Sequence, residues 1–100
     1  MFNSYTQHTT SDVEKVLYKL CKHFALKIPV EFDSEKAHIE FTMGICQIRR
    51  EQDTLHLQCQ ADASDKLTAI ESIVEDHLGL MVKNPELVLQ WQALVEPCQS

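Results

Sequence analysis

Glycine is almost missing from this chain: two residues in one hundred, accompanied by three prolines. So small a supply argues against a long flexible linker, a low-complexity segment or a glycine-rich loop that cradles phosphate. No Walker A, G-x-G-x-x-G or G-x-S-x-G pattern occurs, so the common signatures of nucleotide binding and serine hydrolysis are absent. The four cysteines include no C-x-x-C pair, which removes the thioredoxin-type motif and the zinc ribbon. No apolar run approaches the roughly 20 residues that a membrane-spanning helix needs. The opening MFNSYTQHTTSD also lacks the basic start and apolar stretch of a signal peptide. The expectation is a cytoplasmic chain, away from membranes, with reduced thiols.

A surplus of basic charge is missing as well. The formal charge of −6 disfavours nucleic acid, whose phosphates draw most of their affinity from a basic face. Lys19, Lys22 and Lys27 cluster, and Arg49 and Arg50 adjoin, but neither group has an aromatic stacking platform beside it. A solvated helix face is the plain reading. What the chain does have is an apolar fraction of 44%, enough for a core of its own. Residues 1–100 therefore read as one domain, with residues 1–10 loosely ordered or forming a short edge strand.

Ser11-Asp12-Val13-Glu14 has the form of a capping box, predicting a helix from about residue 12. Val13, Val16, Leu17, Leu20 and Phe24 give it one apolar stripe, and Pro29 stops it. The period then changes to two, predicting strands over 29–33, 37–42, 45–51 and 54–61. A Met43-Gly44 turn, chosen because glycine tolerates positive φ, sets Phe41 opposite Cys46 and Ile39 opposite Ile48. A Gln52-Asp53 turn sets Ile48 opposite Leu57 and Cys46 opposite Cys59. Both registers keep the apolar residues on one face. Asp62 and Ser64 offer caps for a second helix through Leu67, Ile70, Val74, Leu78 and Met81. Asn84-Pro85 predicts a short third helix with a stripe of Leu87, Val88, Trp91, Leu94 and Val95.

The chemistry-bearing residues fall into three groups. Cys21 and His23 sit two apart, about 200° around a helix, so they flank the stripe on opposite sides and share a metal only if the helix unwinds before His23. His23 and His77 occupy corresponding edges of the two longer helices and converge if those helices pack side by side. A pocket between helices and sheet would lie near His23, Cys46 and His77, with Trp91 as a core or interface anchor. Cys46 and Cys59 are cross-strand neighbours on the buried face, where free cysteine usually behaves as a small apolar side chain. A metal or redox site, if there is one, would draw on Cys21, His23, Cys46, Cys59 and His77. On the outer face the predicted register aligns His38, Arg49 and His56 in one row and Glu40, Gln47 and Gln58 in the next. That face is plain solvated polarity, or a surface for a partner domain or an anionic ligand.

LYKLCKHFALKIPVEFDSEKAHIEFTMGICQI, followed by DHL and a tryptophan near the end, resembles the bacterial domain-of-unknown-function family DUF2218 from about Val16 to Trp91. Cys21, Lys22, His23, Lys27, Gly44, Cys46, His77 and Leu78 fall on its pattern, whereas Leu26 replaces a histidine that the family often carries. Some members are joined to flavin-dependent siderophore-interacting reductase domains. The resemblance thus implies a setting of iron or siderophore metabolism, with such a reductase or a ferric siderophore as partner, and no assigned activity.

The sequence therefore reads as an α+β two-layer sandwich. A four-stranded antiparallel meander, five-stranded if the first residues join it, carries helices on one face in the order (β)-α-β-β-β-β-α-α. The expected function is a small non-catalytic domain, without a cofactor, that binds a ligand or partner in iron metabolism. The alternatives are a metal or redox site and a structural homodimer.

Overall fold

The structure, a computed structural model, describes residues 2–84 and 86–94. The elements run β1 (Phe2–Thr9), α1 (Val13–Ala25), β2 (Val30–Phe32), β3 (Lys36–Phe41), β4 (Gly44–Glu51), β5 (Thr54–Ala61), α2 (Ser64–Met81) and β6 (Gln92–Leu94). Alternation drives the sheet. Ala37, Ile39, Cys46, Ile48, Leu55, Leu57, Cys59 and Ala61 all turn to one face and are buried, while the residues between them face the other way. Against that apolar face lie the stripes of α1 (Val13, Val16, Leu17, Leu20, Phe24) and α2 (Leu67, Ile70, Val74, Leu78). Complete burial of Leu17, Leu20, Ile70 and Leu78 contributes about 1.5–3 kcal/mol each. The α+β sandwich stands, with helices on one face.

Among the described residues the sheet has six antiparallel strands in the order β2-β3-β4-β5-β1-β6, which corrects the reading of residues 2–9. They form neither a loose arm nor an edge strand; β1 lies inside the sheet, paired with β5 along its whole length and with β6 on its other side. Its inward-facing side chains include Ser4 and Thr6, both buried, and His8. Their polarity hid the strand from the periodicity. Burial also holds the His8 imidazole below its ordinary range.

The third helix does not form. Among the described residues after α2, Asn84 O accepts the Leu87 amide at 3.1 Å, the chain then extends, and β6 pairs with β1. Leu89 is buried and Leu87 and Trp91 are half-buried, while Val88 and Gln90 are exposed. The segment thus follows period two, and β1's unpaired edge supplies the hydrogen bonds that a helix would have made internally. Gly79 makes this return possible: a Cβ there would stand 2.9 Å from Asn84 O and 3.6 Å from Leu87 Cβ. Val95, the last residue of the predicted stripe, and Pro85 lie outside the described residues.

Caps and turns also depart in detail from expectation. Asp12 takes a left-handed conformation (φ 54°) and makes no side-chain cap, so the capping box is not built. Ala63, rather than Asp62 or Ser64, precedes α2, again without a side-chain cap. The β4–β5 register is as predicted, with Gln52 at φ 60° in the turn. The β3–β4 register is two residues away: Phe41 pairs with Gly44, Ile39 with Cys46 and Ala37 with Ile48, around a Thr42-Met43 turn. Neither glycine has positive φ. Gly44 is needed for close approach instead, since a Cβ would strike Gln60 O and lie 2.7 Å from Ile70 Cδ1.

Candidate functional site on the open sheet face

With both helices on one side, the opposite face of the sheet has no covering layer among the described residues. Its side chains form rows that can be read directly from the register. One row crosses all six strands as Glu31, His38, Gln47, Gln58, Tyr5 and Gln92. The next holds Lys36, Arg49, His56 and Gln7. The β3 shift therefore moves His38 out of the row of Arg49 and His56 and beside Gln47 and Gln58, and it places Glu40 opposite Ile45. Arg49 and His56 remain neighbours, as the sequence predicts.

These rows line a depression of about 590 Å³, with Tyr5, Glu31, Lys36, His38, Arg49 and His56 among its walls. That volume falls within the roughly 300–1,000 Å³ of small-molecule sites. Two chains of hydrogen bonds and ion pairs order its side chains. Gln47 Nε2 lies 3.4 Å from His38 Nδ1, and His38 Nε2 lies 3.6 Å from Glu40 Oε2. On the other side, Tyr5 donates its phenol hydrogen to Gln7 Oε1 at 3.0 Å and sits 2.5 Å from His56 Nδ1. His56 Nε2 in turn faces Glu51 Oε1 at 3.3 Å, and Arg49 reaches the same oxygen at 3.6 Å. A phenol, an imidazole and a carboxylate in series hold the His56 ring in one orientation. Surface ion pairs of this kind add little stability; their effect is to position donors. Lys36 and Arg49 supply fixed positive charge, and Gln47 and Gln58 supply amides. Among the described residues no serine, threonine or cysteine lines the depression, and its one hydroxyl is that of Tyr5.

The pocket expected between helices and sheet is not built as drawn. Cys46 is completely buried in the core and opens onto nothing. Trp91 donates Nε1–H to Glu75 Oε1 at 3.3 Å. Because Glu75 is two residues from His77, Trp91 occupies the other flank of α2. His23 and His77 do meet, with ring centres 4.8 Å apart, beside Phe24. The metal set of the sequence reading splits in two, with His23 and His77 at the helix edges and Cys46 paired with Cys59 in the core. Cys21, Cys46 and Cys59 are free, buried thiols, and His23 is exposed. Burial pushes the Cys21 thiol up to about 12. The hydrogen bond with Cys59, and then burial, raise Cys46 well above the ordinary thiol range. Such thiols stay protonated and inert. Among the described residues no three or more His, Cys, Asp or Glu side chains are grouped to hold a metal ion, and no helix is long and apolar enough to cross a membrane.

Tyr5, Glu31, Lys36 and Glu51 are the participants that the sequence reading did not single out. Tyr5 depended on placing β1, and Lys36 on the β3 register. Glu51 could have been found, since it ends the predicted third strand two residues from Arg49.

Fold and face together define a small α+β domain with one open, polar, concave sheet surface. The chain belongs to the bacterial family described as an uncharacterized conserved protein, DUF2218, which matches residues 6–92. Among solved structures it is similar to the NMR structure of PA4090 from Pseudomonas aeruginosa, at 28% identity and a TM-score of 0.78. That match covers 92% of this chain and 96% of the other. A search of curated proteins finds no match.

Proposed function

We propose that the chain is a non-catalytic binding domain whose open sheet face takes an anionic small molecule. The supporting observation is the gathering of Lys36, Arg49, His38 and His56 with the Gln47 and Gln58 amides around one depression. Fixed cations and oriented neutral donors, close together, are what carboxylate or catecholate groups need for charge-assisted hydrogen bonds. In the iron-related setting that the family resemblance implies, a ferric siderophore bearing such groups is the first ligand to try. A flavin-dependent siderophore-interacting reductase is the second.

The test is a two-dimensional NMR titration of the full chain with an anionic ferric siderophore mimic built on gallium, and separately with the reductase. Resonances of Tyr5, His38, Gln47, Arg49 and His56 are expected to shift along a saturable curve. Arg49→Ala is expected to weaken binding at least tenfold, the loss of one charged hydrogen bond of about 1.5–3 kcal/mol. Unmoved face resonances in both titrations up to millimolar ligand would discard this reading.

A further inference from the structure

The geometry points to a second site that the open face does not use: a two-imidazole clip for a late first-row divalent cation, made by His23 of α1 and His77 of α2. Three observations carry it. The rings lie 4.8 Å apart, centre to centre, at an interplanar angle of 49°. With a metal–nitrogen bond of about 2.1 Å, and a ring centre roughly 1.1 Å behind the nitrogen, each centre stands about 3.2 Å from a shared ion. A separation of 4.8 Å is within the roughly 6.4 Å that two such rings can span around one ion.

The second observation is the hydrogen bond of His77. Its Nδ1–H donates to the Ile73 carbonyl at 2.7 Å. That bond fixes the neutral tautomer in which Nε2 carries a lone pair, and it is the carbonyl contact that commonly orients a ligating histidine. The third is placement. His23 is exposed and His77 only half-buried, so an ion has a route in from solvent. Meanwhile Phe24 packs against both rings, at 6.2 and 4.8 Å, and is itself seated on Phe41 at 5.4 Å. The pair is thus presented by two helices whose relative position is set by the core. Chelation does not have to bring together two freely moving chains.

The sequence placed both imidazoles at helix edges, but helix periodicity alone does not say that the edges meet. No third side chain of a metal-binding type completes the group among the described residues, so water fills the remaining positions. Imidazole nitrogens favour zinc, nickel and copper ions over magnesium or calcium. Cys21 takes no part, being buried on the other flank of α1.

Zinc titration of the full chain with the fourth cysteine removed as a competing ligand (Cys98→Ser), followed in long-range 1H–15N spectra, tests the clip residue by residue. Before zinc is added, His77 is expected as the Nδ1–H tautomer. Zinc is expected to shift the Nε2 signals of His23 and His77 along one shared isotherm. In His23→Ala, an exposed substitution that leaves the core intact, the His77 response is expected to weaken at least tenfold. Loss of a ligand costs no less than the 10–100-fold loss seen for its supporting contacts. A His77→Gln variant should do the same to His23. Two separate isotherms, or an unchanged His77 response in His23→Ala, would overturn the clip, as would silence of both rings at millimolar zinc.

Discussion

Ser4 and Gly44 show how single positions answer to their surroundings. Ser4 Oγ is buried and has no hydrogen-bond partner, a cost usually of about 1–3 kcal/mol. Ser4→Ala removes the hydroxyl at the loss of one small atom, so urea unfolding is expected to show a gain of up to about 1 kcal/mol. Gly44 has the opposite character. Any Cβ there collides with the Gln60 carbonyl and presses on Ile70, so Gly44→Ala is expected to destabilise by about 1–3 kcal/mol. Asp33 governs part of the acid behaviour. Its Oδ1 accepts the Glu35 amide at 2.8 Å and the Lys36 amide at 3.0 Å, and these bonds hold its carboxyl below the ordinary 3.8. A lowered carboxylate stabilises the fold above its unfolded value and loses that contribution as pH falls through the folded one. Urea midpoints measured from pH 6 down to 2 should therefore fall less steeply below about pH 4 in Asp33→Asn, which keeps the acceptor without the charge.

At the scale of elements, the two central hairpins show what periodicity can and cannot decide. Parity alone fixed which residues of β3, β4 and β5 face the core, because a one-residue slip would have exposed every apolar side chain. It could not separate registers two residues apart, and the turn had to choose between them. At β4–β5 the Gln52-Asp53 pair chose correctly; at β3–β4 the glycine misdirected the choice, since Gly44 answers to crowding rather than to turn conformation. The segment Leu87–Leu94 carries two patterns at once. Leu87, Val88 and Trp91 fit a helix, whereas Leu87, Leu89, Trp91 and Ala93 alternate, and the edge of β1 decides for the second. Leu89→Ala should accordingly cost about 2–4 kcal/mol, as for a buried strand-like leucine. A chain ending at residue 83 should also lose amide-exchange protection along β1, its inner edge having become an outer one.

Across the whole molecule, the core was far more legible than the site. The buried hydrophobic side chains of α1, α2, β3, β4 and β5 can be sorted by period without knowing how the sheet closes. The depression depends on twist, on the exact β3 register and on Tyr5 from β1. Each of these is a tertiary property, and β1 shows inward Ser4, Thr6 and His8 where the eye seeks apolar residues. The buried thiols offer a global measurement. Cys21, Cys46 and Cys59 come from three different elements of one core, so a thiol reagent should label all three together, at a rate set by whole-chain unfolding rather than local opening. The position of β1 has one more consequence, in the order of synthesis. Residues 2–9 leave the ribosome well before their partners, residues 54–61 and 92–94. During translation β1 must wait unpaired while the β2–β5 meander is made, and its second edge is closed only by some of the last residues described. Assembly of the sheet is therefore expected to finish only once residues 92–94 have emerged, leaving the nascent protein dependent on whatever shields an unpaired strand.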